Sequence, residues 1–153
     1  MLKRGDVVED FTGTDDHGDS IRLSDLVVKG PVVLFFYPAA MTYGCTIESC
    51  HFRDLAAEFG EVGAQRVGIS ADSVDKQAQF SGKHSFDYPL IADTDRAIAN
   101  IFGVTRMGPL PNKRVTFVID TDRRILDVIS SETRMNSHAD KALEILRARV
   151  APA

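Results

Sequence analysis

Pro31-Val32-Val33-Leu34-Phe35-Phe36-Tyr37, closed by Pro38, is the stretch that decides the fold. It is uncharged, does not alternate, and is rich in β-branched and aromatic residues. A run this short reads as a strand buried on both faces, the position of a central parallel strand between two helical layers. Pro38 cannot donate to a sheet ladder, so the strand ends there. Downstream, Thr42 to Gly60 predicts a helix, because Phe52, Leu55, Ala56 and Phe59 fall at i, i+3, i+4 and i+7. Gly60 serves as its stop. Arg66 to Ala71 then predicts a second buried strand, which completes a strand–helix–strand unit.

The same reading extends outward in both directions. Residues 11–19 are rich in turn formers and predict a surface hairpin, and Ser20 to Leu23 predicts a short strand. Beyond Ala71, Asp72 or Ser73 can cap a helix running to about His84. Asp93 to Phe102 predicts another helix, closed by Gly103. Val115 to Asp120 predicts a third strong strand. Thr121 to Arg124 makes a turn, and Ile125 to Ser131 returns as the hairpin partner. His138 to Val150 predicts a terminal helix, with Ala142, Leu143, Leu146 and Val150 at helical spacing. Alternating strands and helices imply an α/β domain, and the closing hairpin makes its sheet mixed. The expected architecture is a thioredoxin-like fold of three layers, a mixed central sheet flanked by helices, with residues 1–153 as a single domain.

Composition narrows the function. The chain has 153 residues, 44% of them hydrophobic and 26% charged, and a formal net charge of −4. No basic run of five or more occurs, so no footprint for nucleic acid is expected. No apolar stretch approaches the ~20 residues that cross a bilayer. The N-terminal residues lack an apolar signal core, so a cytosolic protein is expected. There are only two cysteines, Cys45 and Cys50. Two are too few for a disulfide-rich scaffold or a four-cysteine zinc site. Neither His51 nor His138 combines with them in a common zinc spacing, and neither metal nor cofactor is expected.

The helix that carries both cysteines has specific consequences. With Cys45 as the origin at about 100° per residue, Phe52, Ala56 and Phe59 lie within about 40° of it. Cys45 therefore belongs to the buried stripe. Cys50 falls about 140° away, on the wetter side, and ~7.5 Å further along the axis. A disulfide needs Cα atoms within about 7 Å and converging Cβ vectors. The two sulfurs cannot bond until the first turns of the helix unwind. Cys45 also lies in the first turn, where free amides and the helix dipole favour an anion. Glu48 falls about 60° from Cys45, beside the buried stripe, and a buried carboxylate needs a cation. Arg53, Arg66, Arg106 and Arg114 are available. Arg114 opens a strand expected to lie next to Pro31–Tyr37 and is the choice on topology.

The run from Phe36 through Pro38, Thr42, Tyr43 and Gly44 to Cys45 resembles the active-site loop of peroxiredoxins. The second cysteine five residues on, followed by Phe52-Arg53-Asp54, resembles the atypical two-cysteine PrxQ type, also called bacterioferritin comigratory protein. The similarity continues through Val67–Ser70, Phe86–Asp93, Phe102–Val104 and Arg114–Asp120, and covers roughly residues 5–147. It implies a thiol peroxidase acting on hydrogen peroxide or organic hydroperoxides. By this resemblance Cys45 is the peroxidatic cysteine, Thr42 hydrogen-bonds the peroxide, and Pro38 shields the thiolate. Arg114 stabilises the thiolate and polarises the O–O bond, and Glu48 orients Arg114. Cys50 is the resolving cysteine, whose intramolecular disulfide a thioredoxin-like partner reduces. An intramolecular disulfide makes a monomer sufficient and leaves a weak dimer open.

Tyr43 departs from the family, which usually has proline immediately before Gly44. Without that proline the loop loosens, or the phenol packs over the pocket. The residues name no general acid for the leaving group, so water or substrate would supply its proton. Two other readings compete. A thiol–disulfide oxidoreductase on the same fold needs Cys-x-x-Cys, and four residues separate these cysteines. A redox-inert interaction module would leave Cys45 as an ordinary buried thiol.

Overall fold

The computed structural model describes residues 1–108 and 110–150, so Pro109 and the Val150 side chain lie outside it. The chain begins with a small antiparallel ribbon, β1 (Thr12–Thr14) and β2 (Ser20–Arg22), followed by α1 (Leu23–Lys29). The fold-deciding strand is β3 (Val32–Phe36), all five of its residues buried. Next come α2 (Tyr43–Asp54), α3 (Ala56–Glu61), β4 (Gln65–Ser70) and α4 (Val74–His84). The chain closes with β5 (Leu90–Ala92), α5 (Ala97–Phe102), β6 (Val115–Ile119), β7 (Ile125–Ser130) and α6 (Met135–Val150).

The main sheet has the order β5-β4-β3-β6-β7, parallel across β5, β4 and β3 and antiparallel from β3 through β6 to β7. This is the mixed sheet expected from the closing hairpin. β3 lies at its centre, and its side chains alternate between two cores because successive residues of a strand face opposite ways. Val32, Leu34 and Phe36 pack with Leu23 and Val27 of α1 and Ile98, Ala99 and Phe102 of α5. Val33, Phe35 and Tyr37 pack with Cys45 and Phe52 of α2, Phe80 of α4, and Ala139, Ala142 and Leu146 of α6. The three-layer α/β, thioredoxin-like arrangement follows from that division.

Several boundaries differ from the sequence reading. The single helix expected over Thr42–Gly60 is two, broken at Leu55, whose ψ of 20° departs from helical geometry. The break falls between Phe52 and Phe59, which stack at 5.8 Å, while Phe52 also stacks on Phe35 at 4.1 Å. Gly60 does not stop the helix; the chain turns at Gly63, with φ of 69°. Leu23, read as the end of a strand, starts α1, and neither α1 nor the three-residue β5 was expected, being too short to show a period. Ser73, one of the two candidate caps, accepts from the Lys76 amide and starts α4. Asp93 precedes α5 rather than opening it, and its carboxylate accepts from the amides of Ile98 and Ala99. The terminal helix begins three residues before His138, at Met135.

Candidate active site

The site lies outside the carboxyl ends of the parallel strands β3 and β4, where open α/β sheets place their ligands. β3 runs out through Tyr37, whose amide donates to Ile69 of β4 at 3.1 Å, into the loop Pro38–Met41. That loop is tied from below. Its Ala40 amide donates to Asp72 Oδ2 at 2.7 Å, and Ser70 Oγ donates to the same oxygen at 2.6 Å. Met41 takes the left-handed conformation, φ 68°, and turns the chain into α2. Thr42 is the N-cap residue, exposed, with its hydroxyl donating to the Ala39 carbonyl at 2.7 Å. The hydroxyl's lone pairs remain available as acceptors. Pro38 is half-buried.

Cys45 stands in the first turn of α2 with no solvent exposure, on the stripe that also carries Phe52 and Phe59. Its Sγ accepts from Arg114 Nη2 at 3.4 Å. The same guanidinium donates through Nη1 to Glu48 Oε1 at 2.7 Å, with Glu48 fully buried and Arg114 5% exposed. The pairing expected on topology is therefore observed. It exists because β6 lies against β3 with Val115 opposite Phe36, so Arg114 emerges at the end of β3 next to α2. The other three arginines are engaged elsewhere: Arg53 with Asp54, Arg66 with Asp87, Arg106 with Glu132. Arg114 Nε is buried without an acceptor among the described residues. It shares one edge of the planar guanidinium with Nη2, so a free donor lies on the edge that reaches the sulfur.

Gly44 is the floor of this arrangement. A Cβ at that position would come within 2.7 Å of Met135 Cε and 3.2 Å of Arg114 Nη2, so only glycine admits both neighbours undisturbed. Tyr43 does not pack over the pocket; it is 85% exposed and projects from the helix start into solvent. Position 43 is the first of α2, where a side chain points outward from the turn that buries Cys45. Met135 takes the place beside Gly44 instead and fronts a cavity of ≈ 330 Å³ lined by Ile47, Thr133, Arg134, Asn136 and Ser137.

Cys50 is half-buried on the other side of the same helix, and both thiols are free. Burial pushes the Cys50 thiol up, Arg53 opposes that shift, and Asp54 adds to it. Three contacts hold α2 near Cys50. Tyr88 Oη donates to the Ser49 carbonyl at 2.6 Å, Arg66 Nη1 donates to the Phe52 carbonyl at 2.9 Å, and His51 Nε2 meets Asp140 Oδ1 of α6 at 2.6 Å.

Burial is the main force on Glu48. It pushes the carboxyl up to about 8 against the pull of Arg114, and Glu132 adds to the rise. His138, considered above only as a metal ligand, is fully buried in α6 with Nδ1 3.5 Å from Glu48 Oε2. Sequence reasoning missed this placement, along with Met135, Asp72, Tyr88 and Glu132. A signal existed for His138, which lies four residues before Ala142 and eight before Leu146, on the apolar stripe of the terminal helix. Glu132 accepts from the Arg114 amide and from Arg106 Nη2, both at 2.8 Å, and fixes the strand end that carries the guanidinium. Among the described residues, no group of three or more His, Cys, Asp or Glu is placed to hold a metal ion. Also among them, no helix is long and apolar enough to cross a membrane.

Comparison with known proteins gives concordant results. The AhpC/TSA family model matches residues 4–128. A Mycobacterium tuberculosis (strain H37Rv) protein carrying the name peroxiredoxin is 62% identical over 150 residues, covering 96% of this chain and 97% of that one. The peroxiredoxin Bcp of Bacillus subtilis is 34% identical over 152 residues, covering 95% and 96%. The crystal structure of peroxidoxin BcpB from Mycobacterium tuberculosis superposes with a TM-score of 0.96 at 59% identity, covering 99% of this chain and 100% of that one.

Proposed function

The chain belongs to the AhpC/TSA family, the peroxiredoxins, and from that premise we propose that its residues reduce peroxides by a two-cysteine cycle within one domain. The observation that carries the reading is Arg114 Nη2 at 3.4 Å from Cys45 Sγ, with Glu48 holding the same guanidinium at 2.7 Å. A positive donor facing a buried sulfur favours the thiolate, which is the nucleophile. Cys45 attacks the nearer peroxide oxygen, the O–O bond breaks, and the departing hydroxide or alkoxide takes a proton. Charge moves from sulfur to the leaving oxygen. The Nε–Nη2 edge of Arg114 follows it, while the Thr42 hydroxyl, its proton committed to the Ala39 carbonyl, accepts from the peroxide O–H. Pro38 shields the sulfur, and Gly44 leaves room for Arg114 beside it.

The product is a sulfenic acid on Cys45. Cys50 then attacks it, water leaves, and an intramolecular disulfide forms. Because both cysteines lie in the unbroken α2, that step requires the helix to unwind between them. A thioredoxin-like reductant restores the dithiol. The half-buried Met135 and the cavity beside it suit the organic tail of an alkyl hydroperoxide as well as hydrogen peroxide. We place the cycle in the cytosol, where the reductant is at hand. A monomer suffices for it.

Mass spectrometry after one equivalent of hydrogen peroxide tests the scheme. The expected product is a Cys45–Cys50 disulfide, two hydrogens lighter than the starting protein. Cys50→Ser should keep the first oxidation and lose thioredoxin-coupled turnover. Unchanged turnover in that variant removes Cys50 as the resolving residue, and no oxidation of Cys45 removes the scheme.

A further inference from the structure

The cycle consumes one proton for each disulfide it forms, and a carboxyl of the buried site is placed to supply it. Glu48 Oε1 accepts from Arg114, but Oε2 is buried with no donor among the described residues. The basic atom near it is His138 Nδ1, 3.5 Å away. His138 Nε2 lies 2.8 Å from the Ser131 carbonyl, which can only accept, so Nε2 carries the hydrogen. Nδ1 of the neutral ring is then a lone pair, receiving the Thr116 hydroxyl at 2.7 Å. An ionised Oε2 would place an unpaired negative oxygen against that lone pair, inside a site closed to solvent.

Charge counting leads to the same place. The buried site holds one fixed cation, Arg114, and two acids that contact it, Cys45 and Glu48. Ionising both buries a net negative charge, which is costly. One of them keeps a proton. Burial pushes Glu48 up to about 8 and pushes the His138 imidazole down, so at neutral pH the proton rests on the carboxyl, facing a neutral ring. The charged and titratable groups facing this pair are Cys45 from α2, Arg114 just before β6, Glu132 before α6, and Lys141 in α6.

We propose that Glu48 and His138 form a proton store for Cys45. The proton that the thiol loses is held on Glu48 Oε2, where the neutral His138 ring, its Nδ1 lone pair already receiving Thr116, offers the carboxylate no donor, and it is surrendered when α2 unwinds to form the disulfide. The inference rests on the two-cysteine reading above. Release is built into the chain, because Glu48 lies between Cys45 and Cys50 in the segment that unwinds. Unwinding carries the carboxyl into water, removes the burial that held its proton, and lets it ionise. The reaction then balances within the protein: Cys45 thiolate, Cys50 thiol, Glu48 carboxylic acid and hydrogen peroxide give the disulfide, Glu48 carboxylate and two waters. Sulfur is oxidised, both peroxide oxygens are reduced, and no proton comes from the medium. Without the store, each disulfide draws one proton from solvent.

The test uses the full, reduced chain in weak buffer at neutral pH with an indicator dye. One equivalent of hydrogen peroxide is added, with thiolate followed by its ultraviolet absorbance and disulfide by mass spectrometry. The expected result is thiolate before peroxide, a disulfide after it, and little or no proton uptake. Glu48→Gln should still show the thiolate and take up close to one proton per disulfide. Uptake of one proton per disulfide by the wild type, with thiolate present, overturns the store. So does a Glu48→Gln variant that forms the disulfide from thiolate without uptake. The wild-type count decides alone if the variant does not fold. Absence of the thiolate or of the disulfide overturns the two-cysteine reading itself, and the store with it.

Discussion

Tyr88→Phe isolates the unwinding step. Tyr88 is 5% exposed, and its ring packs edge-on to Phe35 at 5.6 Å and stacks on Phe86 at 5.2 Å, so phenylalanine keeps the packing. Only the hydroxyl is lost, and with it the 2.6 Å hydrogen bond to the Ser49 carbonyl. That carbonyl also receives the helical i+4 amide, so no buried acceptor is orphaned. The cost to global stability is then the net worth of one buried hydrogen bond, about 1 kcal/mol. Ser49 immediately precedes Cys50, and the bond must break before Cys50 can swing toward Cys45. The variant should therefore open α2 more easily by the same amount, about fivefold in the opening equilibrium. If opening precedes bond formation, disulfide appears about fivefold faster and sulfinic acid yield at excess peroxide falls. Acid-quenched mass spectrometry of single turnovers times the disulfide, and urea titration gives the stability. A variant that loses stability but forms the disulfide at the wild-type rate refutes the reasoning, because Ser49 would then stay bonded while the cysteines meet.

Two further outcomes are expected. Gly44→Ala adds a Cβ 3.2 Å from Arg114 Nη2 and 2.7 Å from the flexible end of Met135. The guanidinium must shift from Cys45, so the rate constant with peroxide should fall by about tenfold or more. Helix propensity meanwhile offsets up to about 1 kcal/mol of strain; an unchanged rate constant would mean Arg114 does not act on the sulfur. For stability against pH, Glu48 is held up near 8 by burial, against an ordinary value of 4.5. The folded state binds that proton more tightly, so the contribution is full below the ordinary value and is lost as pH rises through about 8. His138 runs the other way. Its imidazole is pushed below the ordinary 6.5, so its contribution is present above that value and is lost as pH falls through the lower folded value. Urea midpoints from about pH 5 to about pH 9 should show Glu48→Gln flattening the alkaline fall; an identical slope in the variant counts against a buried, protonated Glu48.

Much of this was legible in the chain because it is local. An unbroken apolar run of seven residues identifies β3, since only a strand with helices on both faces can hide it. The wheel angle puts Cys45 on the buried stripe and Cys50 off it, and rise per residue keeps the thiols apart. Both follow from helix geometry, which depends on nothing outside the helix. The Leu55 break, Gly63 in place of Gly60 as the turn, and the exposed Tyr43 were not legible, because packing against Phe35 and the neighbouring elements chose among locally equivalent conformations. The sequence by itself thus determined the order of elements, the place of the two cysteines on their helix, and the need of Glu48 for a cation. Only the tertiary structure decided that the cation is Arg114, that Met135 stands over Gly44, and that His138 faces Glu48 from 90 residues away. Those meetings depend on the β3–β6 register and on the packing of α6 against α2, and a register is fixed by the free energy of the whole sheet and both cores.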